Sequence, residues 1–66
     1  MKLIFNDETS EVPEKTTITQ LLEQLQLVSQ HVAVEVNYQL VPRSEHKQHT
    51  LQDGDRLEIV TLVGGG

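Results

Sequence analysis

The stretch Thr17-Ile18-Thr19-Gln20-Leu21-Leu22-Glu23-Gln24-Leu25 decides the fold. Ile18, Leu21, Leu22 and Leu25 recur at i, i+3, i+4 and i+7, which sets them on one stripe of an α-helix. Thr17 stands just before the stripe and Gln20 follows three residues on. At that spacing each side chain satisfies an orphan amide of the first helical turn. Gln20, Glu23, Gln24 and Gln26 lie off the stripe. The segment is therefore a short amphipathic helix with one face to lay on a sheet.

Upstream, Leu3 and Phe5 alternate with Lys2, Ile4 and Asn6, the period of a strand. Asn6-Asp7-Glu8 supplies turn chemistry, Thr9 to Val12 reads as the returning strand, and Pro13 ends its ladder. Downstream, Val32, Val34 and Val36 alternate with Ala33 and Glu35. Asn37-Tyr38 reads as a turn and Gln39-Leu40-Val41 as a short strand closed by Pro42. Arg43 to His49 is polar and irregular, and Thr50-Leu51 has room for a brief pairing. Asp53-Gly54 is a strong tight-turn signal. The last strand is expected from Arg56 to Val63. Leu57, Ile59 and Val63 share one parity while Val60 and Leu62 share the other, as in a strand buried beside a parallel neighbour. The order predicts an α+β domain with a mixed sheet of four to five strands, its first and last strands adjacent, covered by one main helix.

The chain has 66 residues and a net charge of −5, from 5 basic and 10 acidic side chains. One small domain over residues 1–63 fits that length, with 64–66 as a flexible glycine tail. Its core is too thin for a large enclosed active site. Cysteine is absent, which excludes disulfide scaffolds, thiolate metal sites and thiol nucleophiles. Acidity and a 3% aromatic content argue against nucleic acid and favour a basic protein partner. No apolar run approaches the length of a membrane span or a signal-peptide core, so a cytoplasmic protein is expected.

Candidate chemistry is sparse. His46 and His49 sit three apart but lack the further ligands a zinc site needs, and read as solvated loop histidines. Asp53 and Asp55 flank a glycine, as in a fragment of a calcium loop, yet the closing Glu of such a loop is missing and turn chemistry explains the pair. Glu8, Glu11 and Glu14 have no basic residue placed to tune them. No metal or bound cofactor is expected.

Gly64-Gly65-Gly66 remains. Three glycines at one place arise by composition with a chance of roughly 3 × 10⁻⁴. A frayed end explains them less well than use, because they follow an apolar strand directly. Lacking Cβ atoms, they can lie in a channel too narrow for side chains. They extend about 10 Å and deliver one reactive group, the carboxylate of Gly66. A carboxylate needs a better leaving group before a nucleophile can use it, and an ATP-using partner can supply one as an acyl adenylate.

Leu3-Ile4-Phe5-Asn6, the run Asn37 to Val41-Pro42-Arg43, Asp53-Gly54-Asp55-Arg56-Leu57-Glu58-Ile59-Val60 and Val63-Gly64-Gly65-Gly66 together resemble the thiamine-biosynthesis sulfur-carrier proteins, the ThiS family, of ubiquitin-like β-grasp fold. The resemblance covers essentially the whole chain. It implies a carrier rather than an enzyme. An adenylyltransferase of the ubiquitin-activating type would adenylate Gly66, using ATP. A sulfur donor such as a cysteine desulfurase would convert Gly66 to a thiocarboxylate, and thiazole synthase would take the sulfur. Gly64 and Gly65 carry over as tail and motif. The small subunit of molybdopterin synthase, a ubiquitin-related modifier, and a β-grasp interaction module with an inert tail are the alternatives.

The apolar second parity of the last strand suggests a docking surface. With Leu3 and Phe5 facing the helix, Ile4 points to the open sheet face, where Val60 and Leu62 are expected beside it.

Overall fold

The structure, a computed structural model, describes residues 1–62. Strands β1 (Lys2–Phe5), β2 (Glu8–Glu11), β3 (Val32–Val36), β4 (Gln39–Val41) and β5 (Arg56–Thr61) form one sheet in the order β2-β1-β5-β3-β4. The helix α1 spans Ile18–Gln24, and short 3-10 turns occupy Ser29–His31 and Arg43–Glu45. β1 and β5 are parallel and every other pairing is antiparallel. The expected α+β architecture, with adjacent first and last strands, is the observed one. β5 lies at the centre and ends at Thr61; Val63, expected in that strand, and Gly64, Gly65 and Gly66 lie outside the described residues.

The core forms between α1 and one sheet face. Ile18, Leu21 and Leu22 pack with Leu3, Val34 and Leu57, and Leu51 closes one end. Phe5 and Ile59 are partly buried against this cluster. Leu25 departs from the expected stripe: it is the C-cap, 38% exposed. At the other end of α1 the reciprocal cap forms as read, with the Gln20 amide donating to Thr17 Oγ1 at 3.2 Å and the Thr17 amide donating to Gln20 Oε1 at 2.9 Å.

The helix stops without a glycine. Gln26 takes φ 61°, its amide bonds the Glu23 carbonyl at 3.0 Å, and the Leu27 amide bonds the Leu22 carbonyl at 2.8 Å. These are the two bonds of a Schellman stop, whose left-handed position favours glycine because a Cβ is strained there. Gln26→Gly should therefore raise the unfolding free energy by about 0.5 kcal/mol, the relief of strain exceeding the entropy glycine adds to the unfolded chain. Urea titration of both proteins checks the sign.

Two hairpin turns use left-handed pairs, Asn6-Asp7 (φ 49° and 65°) and Asn37-Tyr38 (φ 53° and 68°). Such pairs match the right-handed strand twist. Thr50 pairs only as an isolated bridge to Thr17.

The reading of His46 as a solvated loop histidine is overturned: the residue is 2% exposed. Its Nε2 lies 3.2 Å from the Val41 carbonyl, which can only accept, so Nε2 carries a proton. Nδ1 lies 2.8 Å from Ser29 Oγ and, in the neutral ring, accepts from that hydroxyl. The reason is volume. Between Val41 and Leu51 the sequence offers no aliphatic side chain beyond Pro42, and this segment must still cover the core, so the imidazole fills the gap with both nitrogens bonded.

Candidate functional site

The glycines follow the central strand. β5 is held on one side by β3 in the register Val32↔Thr61 through Val36↔Leu57, and just past the strand the Leu62 amide bonds the His31 carbonyl at 2.8 Å.

Alternation along β5 puts Leu57 in the core at 0% exposure and Val60 on the open face at 57%. Leu62, just beyond the strand, is 53% exposed. Ala33 lies opposite Val60, and Glu35 lies opposite both Glu58 and Leu40. The open face thus carries exposed Val60 and Leu62 toward the end of β5, and in the preceding row the carboxylates of Glu58 and Glu35 followed by exposed Leu40 on the edge strand.

Ile4 belongs elsewhere on that face. Its partner in β5 is Arg56, four residues before Val60, which is about 13 Å along the strand. The expected grouping of Ile4 with Val60 and Leu62 is not what the register builds. A polar cluster separates them: the Arg56 guanidinium donates to Asp7 Oδ1 at 2.8 Å and lies 5.8 Å from the Tyr38 ring centroid. The hydrogen bond to Asp7 and the nearby phenol raise the Arg56 pKa above its ordinary range, so this cation keeps its charge.

The register has a visible cause in the turn before β5. Lys2 donates its amide to Asp53 Oδ1 at 2.7 Å and accepts from the Gly54 amide at 2.7 Å. Gly54 needs φ 88° to make that approach. Asp55 accepts from the Gln52 amide at 2.9 Å and from Asn37 Nδ2 at 3.0 Å. Both aspartates are occupied by the turn, as the sequence reading held. Among the described residues no group of three or more histidines, cysteines or carboxylates is arranged to hold a metal ion. None of the described helices is long and apolar enough to cross a membrane.

The profile of the ThiS family matches residues 2–66. The chain belongs to the ThiS family. It is 36% identical over 66 residues to the sulfur carrier protein ThiS of Escherichia coli, covering 100% of both chains. It is 44% identical over 66 residues to a thiazole synthase of Paramagnetospirillum magneticum, where it spans only 20% of the relative's length. A thiazole synthase of Magnetococcus marinus is matched in the same way, at 36% identity and 20% of its length. The crystal structure of the thiamine biosynthesis protein ThiS from Geobacter metallireducens superposes with a TM-score of 0.85 at 33% identity, over 100% of both chains. The fold is the ubiquitin-like β-grasp, with one α-helix on a five-stranded mixed sheet.

Proposed function

We propose that this chain is a sulfur carrier for formation of the thiamine thiazole, acting as a protein cosubstrate. The observation that carries the reading is the full-length match to a sulfur carrier of the ThiS family, with three glycines following the central strand after Leu62 and Val63. In this reading the Gly66 carboxylate attacks the α-phosphorus of ATP on a partner adenylyltransferase, and pyrophosphate leaves. The terminal sulfur of a persulfide donor, such as that on a cysteine desulfurase, then attacks the acyl carbon and AMP departs, leaving an acyl disulfide. A second thiol attacks the donor's sulfur, forms a disulfide with it and releases the thiocarboxylate, so one carboxylate oxygen is replaced by sulfur. Thiazole synthase takes that sulfur. Its assignment as partner is supported by the two thiazole synthases that contain a stretch similar to this chain. Gly64 and Gly65 serve as the narrow lead to Gly66. ATP is used by the partner, and the reaction belongs to the cytoplasm, where ATP is available.

The test is an intact mass after incubation with ATP, the activating enzyme and a sulfur donor. The expected shift is the difference between sulfur and oxygen, dependent on ATP. An unchanged mass would leave an interaction module with an inert tail.

Val60 and Leu62 serve in this reading as the apolar centre of the docking face, with Ile4 contributing separately at the far end of β1. Val60→Asp should weaken binding to the activating enzyme and to thiazole synthase roughly tenfold or more, as expected for an interface anchor. Its effect on stability should stay within about 0.5 kcal/mol, because the side chain is on the surface. Titration calorimetry and a thermal melt measure the two; unaltered binding, or unfolding, would remove Val60 from the interface.

A further inference from the structure

The central strand has a bare edge. Backbone bonds alternate sides along β5. The Asn37 amide to the Arg56 carbonyl and the Leu62 amide to the His31 carbonyl show that even-numbered residues of this segment bond toward β3. Odd-numbered residues therefore point toward β1. There Leu57 is satisfied, its carbonyl accepting from the Asn6 amide at 3.4 Å. But β1 ends at Phe5, and the chain turns back at Asn6 and Asp7 into β2. The pairing of β1 with β5 covers only Arg56 and Leu57. Among the described residues no partner meets the amide or carbonyl of Ile59 or of Thr61 on that side.

These four groups form a short template for another strand, in the middle of the sheet order rather than at its ends. Natural sheets usually cover or blunt such an edge. The gap is also built as a seat: Asn6, Asp7, Arg56, Glu58, Ile59 and Val60 line a cleft beside it. Exposed Val60 and Leu62 continue it on the open face.

We propose that the Ile59–Thr61 edge receives an extended segment of thiazole synthase, which adds a short strand to the sheet in the place β1 vacates. This rests on the sulfur-carrier reading. A row of main-chain donors and acceptors at strand spacing is matched in register by a partner's extended backbone. Charge selects against a second copy: each chain carries a net −5, and Glu58 would be brought toward its own duplicate. The segment should therefore carry basic residues beside an apolar one that meets Val60. Four backbone bonds give modest affinity, enough where the open face and the tail hold the same partner.

Hydrogen exchange read by NMR tests this on the full chain with purified thiazole synthase of the same organism. In the free chain the Ile59 and Thr61 amides should exchange fast while those of Val60 and Leu62 are protected. In the saturated complex Ile59 and Thr61 should slow by roughly tenfold or more. Thr61→Pro supplies a second readout. It removes an amide that no described group uses, so the fold should persist, while the ring blocks the added strand and lowers affinity roughly tenfold. A complex in which both amides stay fast, or one formed equally well by a folded Thr61→Pro chain, overturns the edge proposal and leaves the carrier reading standing. Slowing that follows the chain's own concentration assigns the edge to a second copy and overturns it as well. No complex with thiazole synthase at all, together with no sulfur acquired in the mass assay, overturns both.

Discussion

Deleting Gly66 should cut sulfur loading steeply while leaving the domain as stable as before. The shortened chain still ends in a glycine carboxylate, that of Gly65, so its intrinsic reactivity is unchanged. What changes is reach. One residue is about 3.5 Å of extended chain, and adenylation requires the carboxylate oxygen in near-contact with the α-phosphorus. A misplacement of even 1 Å at a reacting centre can cost about 100-fold, so loss of a whole residue should lower the loading rate by roughly 100-fold or more. Stability should not follow, because among the described residues the last member of the core cluster or of its partly buried rim is Ile59, seven positions before the deletion. Intact mass over time and a thermal melt are the two measurements. Loading of the deleted chain at the normal rate would mean that the sulfur sits elsewhere. With no cysteine in the sequence, another acyl group would have to hold it, and the carrier reading centred on Gly66 would fall.

What the sequence made legible is what short-range chemistry controls. The cap at Thr17 and Gln20 closes within four residues, and the Asn6-Asp7 and Asn37-Tyr38 turns need only residues that tolerate a left-handed backbone. Strand parity is local in the same way: the two-residue period of β5 alone turns Leu57 inward, at 0% exposure, and Val60 outward, at 57%. Features settled over long separations were not legible. His46 is buried by bonds to Ser29 and to the Val41 carbonyl, and its partner 17 residues upstream leaves no pattern; the long gap between Val41 and Leu51 was the one available signal. The separation of Ile4 from Val60 depends on the clamp between Lys2 and the Asp53-Gly54 turn. Parity told which face each side chain takes, but only that clamp fixed how far β1 slides along β5. The helix stop at Gln26 was hidden because the residue is neither glycine nor asparagine.

Leu57→Ala should be the most damaging single change in the core, removing between 2 and 5 kcal/mol of stability by the usual cost of a leucine-sized cavity. Leu57 is 0% exposed and sits on the central strand, paired with Phe5 on one side and Val36 on the other. Both neighbours are held by their own ladders, so the backbone cannot collapse into the cavity, which favours the upper half of that range. A domain of 66 residues has in total roughly 3–10 kcal/mol to lose, so much of the population should unfold near physiological temperature. Sulfur loading should then fall in proportion to the folded fraction. Cooling, or an osmolyte that favours the compact state, should restore it toward the parent value, because the Leu57 side chain is fully buried in the core and the substitution leaves every exposed side chain of the proposed docking face in place. That recovery distinguishes the substitution from deletion of Gly66, for which refolding conditions should recover nothing. Denaturant midpoints paired with loading rates at two temperatures make the comparison. A Leu57→Ala chain that melts within about 1 kcal/mol of the parent would contradict the tight packing assigned to β5, since full burial of a leucine in a native-density core does not permit so small a loss.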